Sequence, residues 1–188
     1  MTLALAFLLL LLTVPLFGGK LSRVGEVRIR WIGLAAVAFA VQVVLVTVVP
    51  DGDSTVHRIL HLGTYALAAA CLIRNLDLRF VWLVGVGGLL NLIAIAANGG
   101  VMPTTVSALE TAGLDVDPET FANSAALADP RLLFLGDVFA IPASLPFANV
   151  FSVGDVLIAV GAAYAVHAVC GSHLVPERLR VATGAART

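Results

Sequence analysis

Two short runs, Leu135-Gly136-Asp137-Val138 and Val153-Gly154-Asp155-Val156, each set a carboxylate behind a glycine within apolar sequence. An ionised carboxylate is costly in hydrocarbon, so an aspartate in such a run marks a candidate functional site. Two carboxylates held close together cannot both ionise easily, and one keeps a proton while the other acts as a base. A pair of that kind can activate water against an amide or ester, bind a cation or relay protons. Each aspartate can equally serve the fold alone, by capping a helix start or by bonding a neighbouring helix. Gly136 and Gly154 allow close backbone approach beside each carboxylate.

Other polar residues stand near these runs or share their side of the chain. His57 and His61 lie one turn apart, with Tyr65 one turn further, so a helix there presents all three on one face. Two histidines at this spacing can supply part of a metal shell, but further ligands are needed. Asp51, Asp53, Asp137 and Asp155 are the available donors. The competing reading is a pair of interfacial histidines that stay partly wet and bond helix ends; no metal and no cofactor is expected. Arg58 can meet a lipid phosphate or one of the aspartates. Asn98-Gly99-Gly100 offers exposed backbone amides as an anion or peptide nest. Asn98, His57, His61 and Ser152, which stands three residues before Asp155, form the candidate binding set. Gln42 and Asn91 are lone polar groups in apolar stretches and are expected to bond between helices. His167 and His173 are expected to be structural or solvated. Cys71 and Cys170 show no pairing or metal spacing and read as small buried thiols.

The elements that position these residues follow from composition. Of 188 residues, 60% are hydrophobic and 12% charged, about half the charged fraction of a soluble domain. Apolar runs separated by short charged loops predict an all-α integral membrane protein, a single-domain bundle of about five transmembrane helices. The spans cover about 2–17, 31–49, 56–73, 80–97 and 150–170. An external loop fills 98–131, with short helices expected at 106–112 and 118–128 and with Leu114, Phe121 and Leu127 packing it down as a cap. The apolar run 132–146 is too short to cross and contains Pro142 and Pro146, so it reads as a re-entrant or interfacial element on the outer face. A basic tail, 171–188, closes the chain. Gly85 and Gly88 on the fourth span, and Gly154 and Gly161 on the fifth, are small enough for tight helix packing.

Charge sets the expected orientation. The loops after the first and third spans, with the tail, hold nine of the eleven basic residues: Lys20, Arg23, Arg28, Arg30, Arg74, Arg79, Arg178, Arg180 and Arg187. The opposite side carries Arg58 and Arg131 among Asp51, Asp53, Glu110, Asp115, Asp117, Glu119 and Asp129. The amino terminus is therefore expected outside a cell membrane and the carboxyl terminus in the cytoplasm. Asp137 and Asp155 then both fall near the outer boundary.

Two resemblances follow from the motifs. Phe151-Ser152-Val153-Gly154-Asp155-Val156-Leu157-Ile158-Ala159-Val160-Gly161 resembles the last-helix motif of signal peptidase II, the lipoprotein signal peptidase. The shared features are Phe four before, Ile three after and Gly six after the aspartate. That resemblance implies an intramembrane aspartyl peptidase with Asp137 and Asp155 as catalytic residues. Ser152 stands where that family usually has Asn, and its Asn-plus-Asp-Arg motif before the first catalytic aspartate is missing. Over most of the chain, Asn98-Gly99-Gly100-Val101-Met102-Pro103, Leu135 to Pro142 and Asn149 to Asp155 resemble an uncharacterised bacterial family of small polytopic membrane proteins. This second resemblance implies membrane location and no established activity.

The expected function is thus an integral membrane protein with an outward-facing polar site on Asp137 and Asp155. The alternatives are an aspartyl hydrolase, a small transporter, or an accessory subunit of a membrane complex. The expected partners are the lipid bilayer, a membrane-embedded peptide or lipid-linked substrate, and a membrane-protein partner. No glycine-rich phosphate loop and no basic external surface suggests a nucleotide or nucleic acid.

Overall fold

The computed structural model describes residues 2–47, 55–114 and 124–181. The protein is mostly helical. Its long helices are α1 (Thr2–Leu16), α2 (Ile32–Thr47), α3 (Thr55–Arg74), α4 (Val81–Ala97) and α6 (Val153–Cys170), and a short helix, α5 (Val106–Ala112), lies between the last two. Among the described residues one helix, Val153–Cys170, is long and apolar enough to cross a membrane. Ile32–Leu45, Ile59–Arg74 and Val81–Ala97 are apolar but shorter.

The most extensive helix pairing is α4 on α6, followed by α2 on α3. Glycine sets the first of these. A Cβ on Gly161 would lie 2.9 Å from both Leu83 Cβ and the Val84 amide nitrogen. On Gly87 it would lie 2.9 Å from the Ile158 amide nitrogen and strike the Gly154 carbonyl oxygen. Backbone meets backbone along this seam, which only small residues permit. The expected role of Gly88 is corrected: a Cβ there meets nothing, and Gly87 does the packing. The reason is helical phase. Gly87, Asn91 and Ala94 share the buried face of α4, and Gly88 is turned away from it. Gly85 instead fits against Leu72 of α3.

The outward faces are large and apolar. Trp82, Val86, Leu89 and Ile93 form an exposed stripe on α4, and Val153, Val156, Val160 and Tyr164 form one on α6. Leu9, Leu12 and Leu16 do the same on α1, with Leu16 80% exposed. The buried faces hold small and polar groups instead, which reverses the usual pattern of a surface helix.

Two asparagines act as clamps just beyond helix ends. Asn75, after α3, donates its amide to the Cys71 carbonyl (2.6 Å) and the Arg30 carbonyl (2.8 Å), and accepts from the Arg30 backbone N–H (2.9 Å). Asn98, after α4, donates to the Ala94 carbonyl (2.7 Å) and the Arg131 carbonyl (2.8 Å), and accepts from the Arg131 N–H (2.8 Å). Each satisfies a late helix carbonyl and grips both the N–H and the C=O of one distant residue. At the end of α6, His167 bonds Thr13 Oγ1 of α1 (3.0 Å) and Ser172 Oγ (2.8 Å), so it is structural as expected. Cys71 and Cys170 are buried free thiols.

The connection from α4 to α6 departs from expectation by forming strands. β1 (Met102–Pro103) pairs in parallel with β2 (Ser124–Ala125), and β3 (Phe139–Ile141) pairs antiparallel with β4 (Asn149–Phe151). The fifth expected span therefore loses its first residues to a strand. Ser152 is extended and caps the helix that starts at Val153, because its hydroxyl supplies an acceptor for a first-turn amide. The run 132–146, expected as a re-entrant or interfacial element, contains a short 3-10 turn at Leu133–Leu135 followed by β3. β3 pairs with β4 in a hairpin that stacks Phe139 on Phe151 at 5.4 Å between ring centres. The 106–112 helix forms as expected, capped by Thr105. The 118–128 helix does not hold where it can be seen: Ser124–Ala125 is strand, and 118–123, with Phe121, lies outside the described residues. The cap packs through Ala108, Leu109, Ala112 and Val150, while Leu114 is exposed.

Candidate functional site

The site lies where α3, α4 and the start of α6 meet the 133–141 segment. On α6, Ser152 and Asp155 form a capping box. The Ser152 hydroxyl accepts from the Asp155 amide (3.0 Å), and Asp155 Oδ2 accepts from the Ser152 amide (2.9 Å). Asn91 of α4 joins them across the seam. Its Nδ2 donates to Asp155 Oδ1 (2.9 Å), and its Oδ1 accepts from the Ser152 hydroxyl (2.8 Å). The same hydroxyl lies 2.9 Å from Asp155 Oδ2, and its one proton serves one of these acceptors at a time. Both oxygens of Asp155 thus have donors, and the carboxylate is held in one orientation. Gly154 makes this possible, because a Cβ there would strike the Asn91 Oδ1.

Asp137 reaches the site by a different route. Its amide donates to the Pro103 carbonyl (2.9 Å) and its carbonyl accepts from Thr105 N–H (3.4 Å). These bonds form a parallel bridge between Asp137 and Thr104, which places their side chains on one side of the strand pair. Gly136 permits the contact, since a Cβ there would strike the Pro103 carbonyl oxygen. Asp137 is buried, and Thr104 is 3% exposed with its hydroxyl lacking a hydrogen-bond partner. A buried hydroxyl without a partner is uncommon and calls for an explanation.

Tyr65 of α3 packs beside this region. It packs against Ala94, Ile95 and Met102, as does Leu135. Burial is the main influence on its phenol, with smaller contributions from the charge of Asp155 and then of Asp137. His61 stacks edge-on against Tyr65 at 5.4 Å between ring centres. His61 Nδ1 also lies 3.1 Å from Gln42 Nε2 and 3.2 Å from its Oε1, and Thr64 donates to the same Oε1 (3.2 Å). The expectation of a partly wet His61 is therefore corrected: it is buried and bonds α2 to α3. The side chains of His57 and Arg58 lie outside those described. Among the described residues no group of three or more His, Cys, Asp or Glu side chains is placed to hold a metal.

Asn98, expected to bind a ligand, is occupied as the clamp on Arg131. It fixes the entry to the turn that presents Leu135, Gly136 and Asp137. Asn98→Ala should cost about 1 kcal/mol, the usual net worth of such bonds. It should also speed amide hydrogen exchange across 131–137 in a peptide-resolved measurement while leaving α6 protected.

Asn91, Tyr65 and Thr104 are the site residues that sequence reasoning did not select. Asn91 was legible as an interhelical bond, but the sequence reading set Gly85 and Gly88 beside it, and the glycine on its face is Gly87. Tyr65 was legible only as a neighbour of His61. Nothing local singles out Thr104.

The fold and site define a mostly helical protein with a polar cluster at one end of a glycine-seamed helix pair. Residues 26–167 match the DUF5317 family, described as a family of unknown function, and the chain belongs to it. The match takes in all three motif segments, Asn98–Pro103, Leu135–Pro142 and Asn149–Asp155, that resemble an uncharacterised family. No curated protein and no solved structure matches the chain.

Proposed function

We propose that the protein is an integral membrane protein carrying, at the outer end of its helices, a polar site for the polar part of a membrane-embedded peptide or lipid-linked substrate. The membrane reading is supported by the reversed helix faces: small and polar inside, large and apolar outside. Exposed stripes such as Trp82-Val86-Leu89-Ile93 suit hydrocarbon and would be a liability in water. The nine basic residues of the 20–30, 74–79 and tail segments support an orientation with the amino terminus and the aspartate end outside.

The observations that support the site are the Asn91–Ser152–Asp155 network across the α4–α6 seam and the buried Asp137 bridged to Thr104 beside it. The unpartnered Thr104 hydroxyl on the Asp137 side of the bridge adds a group that a ligand would satisfy. Two carboxylates and two hydroxyls favour a ligand with N–H or O–H donors.

Two measurements test this. With Cys71 and Cys170 replaced by Ala, an impermeant maleimide should label Ser107→Cys in intact cells and Ser22→Cys only after permeabilisation. Equal labelling of both in intact cells, or a protein recovered without membranes, overturns the membrane reading. For the site, the 13Cζ resonance of Tyr65 should move in both Asp137→Asn and Asp155→Asn. A resonance that ignores either substitution breaks the convergence.

A further inference from the structure

At the other end of the helices lies a second feature. An apolar groove is lined by Trp31, Gly33, Leu34 and Val37 at the start of α2. Gly33 keeps it open: a Cβ there meets nothing within 4 Å, so this glycine, unlike Gly87 or Gly154, is not needed for helix packing. Trp31 is 55% exposed and has a positive φ of 57°, a backbone state that is uncommon for a bulky residue. The arrangement is held by the Asn75 clamp on the neighbouring Arg30 peptide.

The rim of the groove is basic. The Arg74 guanidinium lies 5.3 Å over the Trp31 ring. Arg30 donates to the Arg74 carbonyl (3.2 Å) and pairs loosely with Asp77 (3.6 Å). The segments 20–30 and 74–79 together hold six basic residues (Lys20, Arg23, Arg28, Arg30, Arg74 and Arg79) against two acidic ones, Glu26 and Asp77. An apolar trough beneath arginines matches a molecule with an acyl chain and an anionic head.

We propose that this groove binds an anionic phospholipid of the cytoplasmic leaflet, its acyl chain along Gly33, Leu34 and Val37 and its phosphate at Arg74 and Arg30. Trp31 packs against the glycerol region, where amphipathic rings settle in bilayers. Arginine suits the phosphate because its planar fork donates two parallel bonds. The proposal rests on the membrane reading above and is independent of the aspartate site.

The chain has two tryptophans, Trp31 and Trp82, so Trp82→Phe leaves Trp31 as the single emitter. The full-length protein is placed in nanodiscs holding a minor fraction of brominated lipid, with either a phosphatidylglycerol or a phosphatidylcholine head. At about a fivefold gain per basic residue engaged, brominated phosphatidylglycerol should quench Trp31 at a several-fold lower fraction than brominated phosphatidylcholine. Arg74→Gln should shrink that preference, and Gly33→Leu should fill the trough and reduce quenching by both lipids. Equal quenching by the two heads in an embedded protein overturns the lipid site and leaves the membrane reading standing. A protein that does not enter nanodiscs at all overturns both.

Discussion

Gly154→Ala should destabilise the protein by about 3 kcal/mol, at the upper end of the usual cost of overpacking. The added methyl would meet the Asn91 side-chain oxygen and lie 2.6 Å from the Gly87 carbonyl oxygen. Neither can yield cheaply: one is backbone, and the other is held by the Ser152 hydroxyl. To fit the methyl, α6 must move off α4, which breaks the Asn91–Asp155 bond and opens the seam at Gly87. Gly88→Ala is the matched control. Its Cβ meets nothing, so the better helix propensity of alanine should make it neutral or stabilising by up to about 1 kcal/mol. Thermal unfolding of both variants in one detergent should separate them widely, and a Gly154→Ala as stable as Gly88→Ala would show that the seam is not tight.

Asn91→Ala should cost about 2 kcal/mol, in the range for a hydrogen bond to a charged group. It removes the donor to Asp155 Oδ1 and the acceptor of the Ser152 hydroxyl together. Asp155→Ala removes the other half and also the capping box, which alone is worth about 1 kcal/mol. In a double-mutant cycle the two changes should couple by about 1 kcal/mol or more. On the membrane reading proposed above, ordinary interhelical hydrogen bonds average about 0.6 kcal/mol, so coupling at or below that value would reduce Asp155 to a simple helix cap. The Tyr65 13Cζ resonance should also shift in Asn91→Ala, because the carboxylate loses its fixed orientation. A structural cap alone would not require that.

Much of the helical framework was legible. Runs such as 31–49 and 80–97 differ from α2 and α4 by only a residue or two at most ends, because apolar runs broken by Pro50-Asp51-Gly52 and by Arg74 to Arg79 leave little choice of boundary. The 132–151 region was not legible. Its Leu, Val and Phe content suits a helix start or an interfacial turn as well as a strand, and what selects the strand is pairing between Phe139–Ile141 and Asn149–Phe151. The clamp made by Asn98 was not legible for a related reason. An asparagine beside two glycines looks like an exposed nest until its remote partner, Arg131, is known.

The sequence by itself determined that this chain is helical and apolar, with two glycine-preceded carboxylates falling at one end, because composition and helical phase are local properties. Only the tertiary structure decided what those carboxylates face. Asp155 is held by Asn91, sixty-four residues away, and Asp137 is docked on Pro103 and Thr104 by backbone bonds. Tyr65 packs beside them from a third element, against Ala94, Ile95 and Met102. Hydrogen bonds between distant segments depend on how the helices pack, and that packing rests on where glycine lets two backbones touch.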